Sequence, residues 1–167
     1  MTISVEIINQ LSDNYSYLIS GNKDNSSIII DPAESDKILN VLKEKKLNLN
    51  YIFITHHHSD HTSGVADLVR AYPEVKVFSP SELNSISVNV IYDSNKITTN
   101  LNEFEIIHTP GHTLDHVVLC DLKNNLLFVG DVLFRLGCGR VFEGTLEQMH
   151  RSLIKLLDLS DRMLVYC

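Results

Sequence analysis

Thr55-His56-His57-His58-Ser59-Asp60-His61 is the stretch whose reading decides the fold of this 167-residue chain. It contains H-x-H-x-D-H, four metal-ligand side chains on one short loop, directly after Tyr51-Ile52-Phe53-Ile54. That apolar, aromatic and β-branched run reads as a buried strand. Imidazoles and a carboxylate placed at its end each carry a desolvation cost if buried unpaired, and a metal ion removes it. Side chains two apart converge from a turning loop, so His56 and His58 can bind one ion while the adjacent Asp60 and His61 face a second. Imidazole with carboxylate suits zinc, iron or manganese better than calcium or copper.

Two further segments supply the missing ligands. Phe104 to Thr109 alternates as a strand, and Pro110-Gly111-His112-Thr113 turns the chain at its end, exposing His112 as a third histidine for His56 and His58. Leu126 to Val129 is another apolar strand, followed by Gly130-Asp131. A carboxylate there has two oxygens that can point to different ions, so Asp131 can bridge them.

The composition fits a compact enzyme: 44 % of the residues are hydrophobic, and 167 residues make most simply one domain with a sizeable core. The formal charge of -7, with Lys and Arg scattered, leaves no nucleic-acid footprint. No apolar leader or membrane-length stretch stands in the sequence, and Cys120, Cys138 and Cys167 form no disulfide pattern, so a cytoplasmic protein is expected. Cys120 and Cys138 both read as packing residues.

Strands are expected around Ile3 to Ile8, Asn14 to Ile19, Ser27 to Ile30, His116 to Asp121 and Met163 to Tyr166, besides those already named. Helices are expected over Glu34 to Lys46, Gly64 to Ala71 and Thr145 to Leu157. The last would turn Leu146, Met149, Leu153 and Leu156 or Leu157 inward. Pro80 to Leu101 is the least legible part, with Asp93-Ser94-Asn95 as a turn.

This order of strands, outer helices and ligands at strand ends resembles the metallo-β-lactamase fold, an α/β protein built as an αββα sandwich. Leu11-Ser12-Asp13-Asn14-Tyr15, Thr55 to His61, Thr109 to Thr113, Gly130 to Phe134, Gly137-Cys138-Gly139-Arg140 and Phe142-Glu143-Gly144 together resemble the catalytic domain of the glyoxalase II (hydroxyacylglutathione hydrolase) family. H-x-H-x-D-H marks the superfamily; Gly-Cys-Gly-Arg with Phe-Glu-Gly points more narrowly to glyoxalase II.

The resemblance implies a first ion, zinc or else iron or manganese, on His56, His58 and His112, and a second on Asp60 and His61, with Asp131 shared. It implies a hydroxide nucleophile between the ions, oriented by Asp60, that hydrolyses the glutathione thioester S-D-lactoylglutathione to D-lactate and glutathione. Arg140 would contact the glutathione, and Phe142 would keep a substrate-touching ring without the hydroxyl some relatives carry. His116 is expected to support or pack rather than ligate, His57 to be structural, and Asp115 stands where the family often has glycine.

The family continues beyond Val-Tyr-Cys into Gly-His-Glu-Tyr, whereas this sequence stops at Val165-Tyr166-Cys167. The expectation is therefore a catalytic domain over 1–167, C-terminally truncated, without the last metal-ligand histidine or the helical substrate-binding domain, and with a weak second site and impaired turnover. Two other readings fit the same motif: a metal-binding remnant without activity, and a persulfide dioxygenase-like enzyme with a single iron. Neither nucleic acid nor membrane is expected as a partner; oligomeric state is left open.

Overall fold

The computed structural model describes residues 2–167, which divide into two compact units, one ending at Val90 and the other beginning at Ile91. In the first, β1 (Ile3–Gln10) and β2 (Asn14–Gly21) form an antiparallel hairpin, and β3 (Ser26–Ile30) continues antiparallel to β2. Helix α1 (Asp36–Lys45) then returns the chain to β4 (Asn48–Phe53), parallel to β3. Helices α2 (Ser59–Thr62) and α3 (Val65–Ala71) lead to β5 (Lys76–Ser79) and the short β6 (Asn89–Val90), both parallel to their neighbours. The strand order follows the sequence, β1 to β6.

The second unit holds β7 (Lys96–Thr98), β8 (Glu103–His108), β9 (Val117–Asp121) and β10 (Leu126–Phe128) as an antiparallel meander. Helix α4 (Leu146–Leu157) crosses to β11 (Leu164–Tyr166), parallel to β10. Among the described residues, no helix is long and apolar enough to cross a membrane.

Strands β3, β9 and β10 are buried on both faces, which is why they read as continuous apolar runs rather than alternating ones. In the first unit, Ile29, Ile52 and Val77 pack with Ile38 and Leu42 of α1 and Val65 and Leu68 of α3. On the opposite face Phe53 stacks on Phe78, 4.9 Å between centroids, beside the buried Ile28 and Ile30. The second unit repeats the arrangement. Val118, Cys120 and Leu127 pack with Met149 and Leu156 of α4, while Phe128 stacks on Tyr166 at 4.8 Å and meets Phe104 edge-on.

The strand ends decide where the chemistry falls. Ile30 and Phe53 are partners across the parallel pair β3 and β4, so the residues that follow each strand emerge at one carboxyl edge. Those residues are Asp31 and Thr55 to His61. In the second unit His108 pairs with Val117 and Phe128 with Leu119, so the turn after β8, the start of β9 and the residues after β10 share one edge. Ligand sites in open α/β sheets favour such edges.

Most expected elements are present with shifted ends, and three expectations are corrected. Ser59–Thr62 is a turn of α-helix, not loop, with Asp60 and His61 on it. On α4 the inward residues are Met149, Ser152 and Leu156, whereas Leu146 and Leu157 are 79 % and 75 % exposed. Ser152 can be buried because its hydroxyl donates to the Pro110 carbonyl at 2.8 Å. Cys138 is exposed rather than packed; Cys120 is buried as expected. The helix itself starts where its capping box lies, with Thr145 and Gln148 bonding each other's backbone N–H.

Ile52→Ala is expected to lower the unfolding free energy by about 2–5 kcal/mol and Leu146→Ala by no more than about 0.5 kcal/mol, measured by urea titration. The thiols should also separate. Burial, reinforced by Glu105 and Asp121, pushes the Cys120 thiol up to about 11, so little of it is thiolate at neutral pH. Native protein treated with iodoacetamide should be alkylated at Cys138, and at Cys120 only after denaturation, as read by peptide mass spectrometry.

Candidate metal centre

The first unit gathers four of the sequence-predicted site residues. The imidazole centroids of His56 and His61 lie 4.2 Å apart, and those of His56 and His58 lie 4.7 Å apart. His56 and His61 are buried, and each has its Nδ1 engaged. His56 Nδ1 is 3.0 Å from the Thr55 hydroxyl, which itself donates to Asp31 Oδ2 at 2.7 Å. The hydroxyl proton is thereby used, so the bond to His56 requires the proton on Nδ1. His61 Nδ1 lies 3.0 Å from the same Asp31 Oδ2, an acceptor, and so donates to it. Both rings thus turn a lone-pair Nε2 away from their supports.

Asp31 is the hub of this arrangement. Its carboxylate, 3 % exposed, accepts the Thr55 N–H at 2.8 Å, the Thr55 hydroxyl and the His61 Nδ1–H. Its φ of 50° is left-handed, a conformation Asp tolerates better than most residues. Asp60 is held differently: Asn14 Nδ2 donates to its Oδ2 at 2.9 Å, and the same oxygen lies 3.7 Å from His61 Nε2. Sequence reading gave Asp31 and Asn14 no part in the site. The available signals were the polar Asp31 directly after the apolar run Ile28 to Ile30, and Asn14 directly after the β1–β2 turn.

The second unit gathers the other four. The buried His112 donates Nδ1–H to the Arg140 carbonyl at 2.7 Å, so Nε2 carries its lone pair, 3.3 Å from Asp131 Oδ2. The Phe142 ring meets His112 edge-on at 5.2 Å while remaining 62 % exposed, and the Arg140 side chain is exposed. His116 is fully buried and bonded to Thr109 and to the Asp131 N–H, a supporting place and not a ligating one. His57 is exposed, His108 Nε2 reaches the Leu114 carbonyl at 2.9 Å, and His150 is exposed.

Each unit therefore presents the same pairing, a histidine Nε2 turned toward a carboxylate oxygen, and in the neutral ring that nitrogen carries a lone pair. Two acceptors so placed repel unless a cation lies between them. Histidine ligands whose other nitrogen is anchored, beside carboxylate oxygens, are the donor set of a zinc, iron or manganese site. His56, His58, Asp60 and His61 in one unit, and His112 and Asp131 in the other, fit such an ion by chemistry.

The Gly137-Cys138-Gly139-Arg140 segment has a structural reason at its second glycine. A Cβ on Gly139 would overlap the Asp131 carbonyl oxygen and crowd His112 Nδ1, whereas one on Gly137 would meet nothing within 4 Å.

The profile of the metallo-beta-lactamase superfamily matches residues 11–89 and 87–167. A hydroxyacylglutathione hydrolase of Citrobacter koseri is 40 % identical over 166 residues, which is 99 % of this chain. The chain spans 65 % of that relative's length. Among solved structures, the BLEG-1 B3 metallo-beta-lactamase superposes with a TM-score of 0.84 at 24 % identity, covering 98 % of this chain and 90 % of its own. ETHE1 from Myxococcus xanthus gives 0.82 at 28 % identity, covering 98 % and 74 %. The fold is thus the expected α/β metallo-β-lactamase fold.

Gly139→Ala should cost about 1–3 kcal/mol through the overlap with Asp131, while Gly137→Ala should stay within about 0.5 kcal/mol of the parent. Urea unfolding of the two variants side by side checks the contrast.

Proposed function

The chain belongs to the metallo-beta-lactamase superfamily, and from that premise we propose that it is a metal-dependent thioester hydrolase of the glyoxalase II type. Its substrate is S-D-lactoylglutathione, and its products are D-lactate and glutathione. The observation that carries the reading is the repeated pairing of an anchored histidine with a carboxylate, His61 with Asp60 and His112 with Asp131. The 40 % identity to a hydroxyacylglutathione hydrolase supports the choice of substrate.

His56, His58 and His112 would hold one ion and Asp60 and His61 a second, with Asp131 as the shared ligand. Zinc is the first choice, with iron and manganese suited to the same donors. Bound ions of this kind supply Lewis acidity for a carbonyl and make water acidic near neutral pH. The residues of the chain do the rest. The Asp60 carboxylate, kept in place by the Asn14 amide, accepts the hydrogen bond of the attacking water and so aims its lone pair at the thioester carbon. The Arg140 guanidinium is exposed and pairs with a carboxylate of the glutathione in two parallel hydrogen bonds. The Phe142 ring offers an apolar face beside His112. As the tetrahedral carbon collapses, the C–S bond breaks and the sulfur leaves as a thiolate, so no strong general acid is required of the chain.

Metal analysis by mass spectrometry and a lactoylglutathione assay on the same sample test the proposal. Turnover should disappear with a chelator and return with zinc. A fully metallated protein with no turnover would sink the enzyme reading and leave a metal-binding protein. One iron per chain with oxygen uptake would replace it with the single-iron reading. Asp60→Asn keeps the side chain's shape and removes its charge; it should lower kcat/KM by about 100-fold or more.

A further inference from the structure

His116 is buried and is bonded to the backbone of Asp131, fifteen positions away. The Asp131 N–H donates to His116 Nε2 at 3.1 Å, so Nε2 is the lone-pair nitrogen and the ring proton sits on Nδ1. Thr109 enforces that tautomer. Its hydroxyl donates to the His116 carbonyl at 3.4 Å and, with its proton so directed, accepts from His116 Nδ1–H at 2.8 Å. Thr109 and His116 are both fully buried, so no water competes for these bonds.

We propose that His116, locked as the Nδ1–H tautomer by Thr109, is a positioning residue that fixes Asp131 for metal binding by accepting its backbone N–H. The inference rests on the reading of Asp131 as a metal ligand. Gly130 immediately before Asp131 has a φ of 47°, a left-handed conformation that reverses the chain as it leaves β10. The carboxylate is thereby set by its own backbone, and His116 is the side chain that holds this backbone from within the core. His112 has a support of its own, the Arg140 carbonyl, and the His116 ring meets it edge-on at 6.3 Å.

Two substitutions divide the roles of the ring. His116→Gln puts an acceptor oxygen near the position of Nε2 and gives up the bond to Thr109. His116→Asn keeps a donor to Thr109 and gives up the acceptor for Asp131. His116→Asn also removes one methylene more than His116→Gln, so the exchange at the Asp131 amide and the ring 15N shifts, which a packing role alone would not move, separate positioning from packing. Zinc affinity, read by competition with a chromophoric chelator, should fall about 10- to 100-fold in His116→Asn and by less than about 3-fold in His116→Gln, on the same scale. Amide hydrogen exchange in the metal-free proteins should show Asp131 protected in the parent and in His116→Gln, and unprotected in His116→Asn. Equal losses in the two variants would overturn the proposal.

The ring nitrogens of the parent provide a test that needs no variant to fold. The 15N shifts of His116 should be of pyrrole type at Nδ1 and pyridine type at Nε2, and the reverse would also overturn it. Asp131→Asn is the control for the underlying reading. If it leaves zinc affinity unchanged, Asp131 is not a ligand and the functional reading fails, whereas the exchange and 15N measurements judge His116 separately.

Discussion

The buried carboxylate of Asp31 is the constraint on which the metal-facing edge of the first unit depends. Removing a carboxylate from water is costly unless its lone pairs are filled, and Asp31 fills them with three donors from Thr55 and His61. Those same bonds fix the start of the His-rich segment and the ring of its last histidine. Through the Thr55 hydroxyl they also fix the ring of His56. One side chain at the end of β3 thus sets the tautomers of two histidines at the end of β4. It can do so because the parallel pairing of the two strands delivers both ends to one edge.

The second unit solves the same problem with neutral acceptors. His112 rests on the Arg140 carbonyl and His116 on the Thr109 hydroxyl. A histidine whose Nδ1–H points at a carboxylate is a more basic ligand than one pointing at a carbonyl. As ligands, His61 would therefore be the stronger donor of charge and His112 the weaker. This asymmetry is written in the supports rather than in the ligands, and it would persist with any divalent ion.

What was legible in the sequence follows from distance along the chain. The candidate ligands at Thr55 to His61 are contiguous and so stood out at once, as did His112 and Asp131 after their apolar strands. Asp31 did not, because its partners lie 24 and 30 positions away and its own neighbourhood reads as a strand ending at Asp31-Pro32. Asn14 was hidden in the same way, 46 positions from Asp60. The buried face of α4 was misread for another reason. Leucine spacing favoured Leu146 beside Met149, Leu153 and Leu156 or Leu157; Leu146 is exposed, and the helix instead buries Ser152, whose hydroxyl finds the Pro110 carbonyl. A pattern of apolar residues does not reveal that a polar one has a partner waiting.

The loop after Asp131 holds the turn that carries His112. The N–H groups of Phe142 and Glu143 donate to the His112 carbonyl, Gly144 N–H donates to the Gly111 carbonyl, and the Glu143 carboxylate accepts the Leu114 N–H. With the Arg140 carbonyl on His112 Nδ1, residues 140 to 144 grip the His112 turn almost entirely through backbone and one carboxylate. The exposed side chains of Arg140 and Phe142 take no part in these bonds. The backbone of the loop is thus committed to holding the His112 turn. The backbone that fixes His112 does not depend on which aromatic side chain it carries.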